Sequence, residues 1–337
     1  MNKLTMKSSV CMFMFVGFSV ISNASFSIGL NYDQLSFVEE PIASHNGDTT
    51  VELLGLVDLA GDFSDDAEES SIVTSALELG LEKQLVNSKT LGARFFADYQ
   101  SDLYDAFEAN ASAYYAGVWG EISVGGVAET INQLTDRNTA VGKSKLAFNG
   151  LSGDLPDLGI AYRGRIGPSQ YAVGVDQDGK LSLGGVFQRP IEDKDYRFAI
   201  NLVNGEFASE EDNPEVNFLF ETTHVNFISE LTYGSSIIDF GFGIESFDSD
   251  ERSFDRNYLT AGLSHKFGRL ALSAQFLKGD VDGFDQSAYA LGAQYEIARG
   301  MAFNVAINQS SSDLDKSDLS IQSVEKTEQM LSLSYRF

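Results

Sequence analysis

The residues best suited to chemistry are few and scattered. His45, His224 and His265 stand alone. No H-x-x-x-H or H-E-x-x-H spacing joins them, so no two imidazoles share a helical face on which to hold zinc. No G-x-S-x-G occurs, so no nucleophile elbow is written in the chain. The expectation is a protein with no catalytic set, no metal centre and no cofactor, and not an enzyme. Three acidic pairs, Asp248-x-Asp250, Asp280-x-Asp282 and Asp313-x-Asp315, could each offer carboxylates to calcium, but none completes a twelve-residue binding loop. Solvated loop charge is the simpler reading. What remains is charge recurring at even spacing. Arg94 with Asp98, Arg163 with Arg165, and Arg197 with Asn201 each fall on one face of an extended strand. Such residues act through their fields rather than by making bonds.

Strands must position them, and strands are legible. In Gln329–Phe337, Leu331, Leu333, Tyr335 and Phe337 share one face, while Met330, Ser332, Ser334 and Arg336 share the other. The same alternation recurs backward through the chain. In Val51-Glu-Leu-Leu-Gly-Leu-Val-Asp58, Val51, Leu53 and Val57 oppose Glu52 and Asp58. In the next such pattern but one, Leu91, Ala93, Phe95, Ala97 and Tyr99 oppose Arg94, Asp98 and Gln100. The 25 Phe and 13 Tyr favour strands. No apolar run reaches the roughly 18–20 residues of a membrane helix. The formal charge of −26 argues against nucleic acid as a partner, since its phosphates would repel the chain.

The N-terminus reads differently. Lys3 and Lys7 precede an apolar core at Val10–Val20, and Ser22-Asn23-Ala24 places small residues where a signal peptidase reads them. Residues 1–24 are expected to be a signal peptide. Cleavage removes both lysines, which takes the charge from −26 to −28, and also the only cysteine, Cys11, so no disulfide is available. Residues 25–48 form an N-terminal extension of uncertain structure, and 49–337 the β-domain.

The aromatic C-terminal strand, Leu53-Leu-Gly-Leu-Val-Asp58, and Tyr114-Tyr-Ala-Gly-Val-Trp-Gly-Glu-Ile-Ser-Val-Gly-Gly126 together resemble the Gram-negative outer-membrane general porins. The first of these resembles the strand that closes the family's barrel, the second its first strand, and the third the hairpin leading into its third loop. The resemblance implies an all-β fold, a transmembrane antiparallel β-barrel with a long inward-folded third loop, placed here at Ala128–Pro156. It implies an outer-membrane homotrimer in contact with the lipid bilayer and lipopolysaccharide, passing small hydrophilic solutes and ions by passive diffusion. A substrate-specific channel for a sugar or organic acid is the alternative. In the family, carboxylates on the third loop face arginines on the opposing wall. By position this makes Glu129 and Asp136 the loop acids, and Arg94, Arg163, Arg165 and Arg197 the wall arginines of a pore constriction. Arg137, Lys143 and Lys145 on the same loop blur that division. The negative balance predicts a preference for cations if the lumen shares it.

Sixteen strands can be counted from Thr49. One segment is ambiguous: in Glu215–Tyr233, Val216, Phe218 and Phe220 share one parity and Val225, Phe227 and Leu231 the other. Bacterial barrels have even strand numbers, short turns at one end and long loops at the other. Only one strand here, with a bulge near Thr222, keeps the acidic segment Gly205–Asn213 on the long-loop side. The count is then sixteen, or eighteen if the extension pairs. Alternation itself is the same in a soluble sandwich, so the choice of a barrel rests on the N-terminal signal, the aromatic end and the loop asymmetry.

Overall fold

The computed structural model describes residues 42–63, 71–101, 107–126, 137–147, 158–177, 179–208, 219–249, 253–312 and 324–337. They form seventeen strands: β1 (Ile42–Asn46), β2 (Thr49–Asp62), β3 (Ile72–Leu85), β4 (Lys89–Gln100), β5 (Phe107–Gly117), β6 (Gly120–Gly125), β7 (Gly159–Ile166), β8 (Ser169–Asp176), β9 (Leu181–Ile191), β10 (Lys194–Ala208), β11 (Leu219–Tyr233), β12 (Ser236–Asp248), β13 (Ser253–Phe267), β14 (Leu270–Val281), β15 (Phe284–Ala298), β16 (Met301–Ser312) and β17 (Val324–Arg336). Each of β2–β17 pairs antiparallel with its sequence neighbour, and β17 returns to pair with β2 from Met330↔Asp62 to Arg336↔Leu56. The result is a closed sixteen-strand barrel. Closure matters because hydrocarbon offers no hydrogen bonds, and a ring leaves no sheet edge unpaired.

The seam shows why the last residues have the sequence they do. Phe337 exchanges both backbone hydrogen bonds with Gly55, at 2.8 and 3.0 Å. A Cβ on Gly55 would run into the Phe337 ring, so glycine there is what lets the ring lie on the seam. Below Gly55, residues 49–53 of β2 extend past the reach of β17. The short β1 pairs with them, from Ile42↔Leu53 to Asn46↔Thr49. The extension thus adds one strand that continues the β17 edge and leaves the ring at sixteen. The signal segment and residues 25–41 lie outside the described residues.

The faces are inverted relative to a soluble sheet. On β12, Ile238, Phe240, Phe242 and Ile244 point outward, and Phe240 is 63% exposed; Asp239 and Glu245 point inward and are fully buried. On β13, Leu259 is 63% exposed outward while Arg256 is 1% exposed inward. An apolar band around a polar interior is stable only when lipid, not water, wets the outside. Tyr115, Trp119, Tyr162 and Tyr171 form a chain of rings 5.8–6.1 Å apart beside the short turns at Val118–Trp119 and Gly167–Pro168. Amphipathic rings of this kind sit at a membrane–water boundary.

Two local expectations change. The segment around Thr222 has no bulge: β11 keeps unbroken register with β10 and β12 through Glu221, Thr222 and Thr223. The described part of this strand begins at Leu219; Val216 and Phe218 lie outside the described residues. The register irregularity among the described pairs lies instead at Glu296/Ala298. The pair Asp280-x-Asp282, read from the sequence as loop charge, is split: Asp280 lies in β14, and only Asp282 and Gly283 are left between β14 and β15.

Candidate functional site: a charged lumen crossed by the third loop

The long connection between β6 and β7 turns inward, and its described part, residues 137–147, lies along the inner wall. Its anchors come from successive strands. The Arg137 guanidinium pairs with Asp239 on β12, whose carboxylate also accepts from the Thr139 hydroxyl. The Asn138 backbone N–H and Nδ2 donate to Glu230 on β11 at 2.9 and 3.2 Å. Gln275 on β14 donates to Thr139 at 2.9 Å, and Ser144 meets Ser273 at 3.1 Å. The Lys145 backbone N–H donates to Asn308 on β16 at 2.9 Å, and the Lys143 ammonium lies 2.5 Å from Asp58 on β2.

Apolar contacts fill in between. Val141 packs with Ile237 and Ala271, and Leu146 with Tyr258, Leu277, Ala288 and Ala290. Small inward residues on β12–β16 leave the room this requires. At Gly292 any Cβ would collide with the Val141 carbonyl, so glycine sets how closely the loop can approach. Buried carboxylates are costly unless their oxygens are satisfied. Asp239 and Glu230 are buried beneath the loop; the loop's donors satisfy Asp239 and, together with Arg197, Glu230.

The arginines singled out from the sequence all fall on the inward face by alternation, but in different surroundings. Arg94 on β4 holds Glu121 on β6 at 3.3–3.4 Å, and its guanidinium lies 4.3 Å from the Tyr114 ring centroid. The Tyr114 hydroxyl donates to Glu82. Arg163 on β7 is in register with Glu121 and donates to Gln170 at 3.0 Å. Arg165 is exposed and donates to the Gly167 carbonyl at the turn, at 2.9 Å. Arg197 on β10 is paired with Glu230, its cross-strand partner, and so belongs to the loop's anchorage. Arg94, Glu121 and Arg163 therefore form one group, with Arg165 at the turn end of the same wall and Arg197 three strands further round from β7, on β10. Glu129 and Asp136 lie outside the described residues.

One constellation escaped the sequence. His224 on β11 lies 2.9 Å from Glu245 on β12; Arg256 on β13 donates to Glu245 at 2.7 Å and to Gln286 on β15 at 2.7 Å. The Arg256 guanidinium stacks 4.4 Å from the Tyr258 ring centroid. These residues come from four strands, so no spacing along the chain reveals them. The trace in the sequence is that His224 and Glu245 each follow the inward parity beside an outward apolar residue, Val225 and Ile244.

No family model matches the chain, and no curated protein sequence does. Solved structures match its fold. OmpT of Vibrio cholerae, an outer membrane protein in trimer form, superposes with a TM-score of 0.67 at 13% identity, covering 86% of this chain and 99% of that one. An anion-selective porin from Comamonas acidovorans gives 0.59 at 14%, covering 86% and 100%. A mutant of the Rh. blastica porin gives 0.56 at 14%, again covering 86% and 100%. With the inverted faces and the closed ring, these place the chain among multi-pass β-barrels of the Gram-negative outer membrane.

They also correct one expectation, that the chain is not an enzyme. The neighbours include OmpT beside the porins, and at 13% identity the likeness carries the fold and no chemistry. The spacing argument fails for a physical reason as well. Separate strands bring the imidazole of His224, the carboxylate of Glu245 and the guanidinium of Arg256 together inside the barrel, where spacing along the chain could not register them.

Proposed function

We propose that the protein is a porin: a water-filled channel through which small hydrophilic solutes and ions diffuse passively across the outer membrane. The observation that supports this reading is the described part of the third loop, residues 137–147, held against the inner wall. A sixteen-strand ring is wide enough to hold water, and a loop held against one side narrows it without filling it. In this reading Arg94, Arg163, Arg165 and Arg197, with Glu129 and Asp136 of the loop, contribute the charge that filters solutes. Residues 1–24 direct export and are removed. The mature chain contacts the lipid bilayer and lipopolysaccharide and assembles as a homotrimer, as the Vibrio cholerae protein does in its trimer form.

Reconstitution into a planar bilayer tests the proposal. Purified, folded protein is expected to add conductance in steps, grouped in threes for a trimer. Folded barrel that inserts and leaves the bilayer non-conducting would overturn the channel reading; single ungrouped steps would overturn only the trimer.

A further inference from the structure

His224, Glu245, Arg256 and Tyr258 form a layer on the inner faces of β11–β13, and all four are buried. Register stacks them: His224 lies opposite Glu245, and Glu245 opposite Arg256. Next along β13, Tyr258 lies between Gly243 on β12 and Gly279 on β14. A Cβ at Gly243 would run into the Tyr258 ring, so glycine there opens the slot in which the ring lies. The third loop rests on that ring. Leu146 packs with Tyr258, Leu277, Ala288 and Ala290, and Ala147 packs against the same group. The Arg256 guanidinium, stacked on the ring, ties the loop's seat to the Glu245 carboxylate.

Among the described residues, charge in this layer balances only with the imidazole neutral. Glu245 meets His224 Nδ1 on Oε1 at 2.9 Å and accepts from Arg256 on Oε2 at 2.7 Å, so one carboxylate already cancels one guanidinium. With Nδ1–H donating to Glu245, the lone pair is on Nε2, which is buried and has no hydrogen-bond partner. A second proton there would add a charge and a donor with nothing to accept it. No other described charge faces the layer at this level. Val203 lies opposite His224 on β10 and Val281 opposite Arg256 on β14, while Gln286 on β15 is neutral. The next charges along the inner faces, Arg197, Glu230 and Asp239, are about six residues away, roughly 20 Å. From the loop, Arg137 is paired with Asp239 and its field reaches Tyr258, and Lys145 adjoins Leu146; both are positive and oppose a further proton.

We propose that these four residues position the far end of the third loop, and that proton uptake by His224 releases it, so that the pore widens in mild acid. The inference rests on the channel reading and adds a control to it. The packed layer has no place for the second imidazole proton, whereas a loosened layer that admits water does. The packed arrangement is therefore favoured at neutral pH and loses ground as pH falls through the imidazole range. An imidazole in water titrates near about 6.5, so the loosened population rises by at most about tenfold between about pH 7.5 and 5.5.

The test is swelling of proteoliposomes in raffinose and in glucose across that pH range, with heat-modifiable migration checked at each pH. The raffinose-to-glucose ratio of the unaltered protein is expected to rise as pH falls. His224→Asn keeps a donor for Glu245 and cannot titrate, and its ratio is expected to stay flat. His224→Gln serves if that variant fails to fold. His45→Gln with His265→Gln lies outside the layer and is expected to keep the full response. A ratio for the unaltered protein that does not change with pH would overturn the proposal. So would a response that survives in a folded His224 variant, or one that is lost with His45 and His265. A folded barrel that admits neither sugar would instead overturn the channel reading.

Discussion

Asp239→Ala should free the near end of the third loop, and the size of the effect follows from what the carboxylate holds. Asp239 is fully buried and accepts from both Arg137 and Thr139. The Arg137 side chain is itself almost wholly buried at this contact. Removing one partner of a buried pair costs about 3–5 kcal/mol, because the other charge is left stranded in low dielectric. Here the stranded group is on the loop and can escape the penalty by leaving the wall. At about 1.4 kcal/mol per tenfold, the detached population rises roughly a hundred- to several-thousand-fold. Lys143, Lys145 and Leu146 still hold the far end. The expected phenotype is therefore a wider, noisier pore rather than an unfolded barrel. Liposome swelling measures it: the rate for raffinose relative to glucose should increase, with heat-modifiable migration on gels confirming that the barrel is intact. Adding Arg137→Ala should recover part of the lost anchorage, since the stranded charge is then gone. A folded Asp239→Ala variant with the wild-type raffinose-to-glucose ratio would refute the reasoning.

Other outcomes follow from the same structure. Gly55→Val places a branched side chain where the Phe337 ring lies and should sharply reduce the heat-modifiable fraction on refolding into detergent; normal yield would show that the seam tolerates displacement of the ring. Phe240→Arg puts a charge on the lipid face and should destabilise the barrel by about 2–4 kcal/mol if the residue lies near the midplane, read from urea unfolding in lipid vesicles. Gly292→Leu collides with the Val141 carbonyl and should raise conductance by lifting the loop, with no loss of folded barrel on gels. Ion selectivity set by lumen carboxylates should fade as salt rises, because the screening length falls from about 10 Å at 0.1 M to about 3 Å at 1 M; reversal potentials at fixed gradient ratio over that range check it.

Period-two alternation is local, so the strands and the residues that share a face can be read along the chain without knowing which strands meet. Arg94, Arg163, Arg165 and Arg197 could be placed on the polar side for this reason, and Leu331, Leu333 and Tyr335 on the apolar side. The sixteen-strand count was legible because loop asymmetry constrains parity.

Tertiary structure decided everything that depends on which strands meet. It placed Phe240 on the outer face and Asp239 inside, a choice that alternation leaves open because sandwich and barrel share it. It removed the expected irregularity at Thr222 and added β1 beside β2. It joined Arg137 to Asp239 across 102 residues and gathered His224, Glu245 and Arg256 from three strands. The physical reason is that a side chain's parity is fixed by its neighbours along the chain, while its partner is fixed by the register of a closed ring.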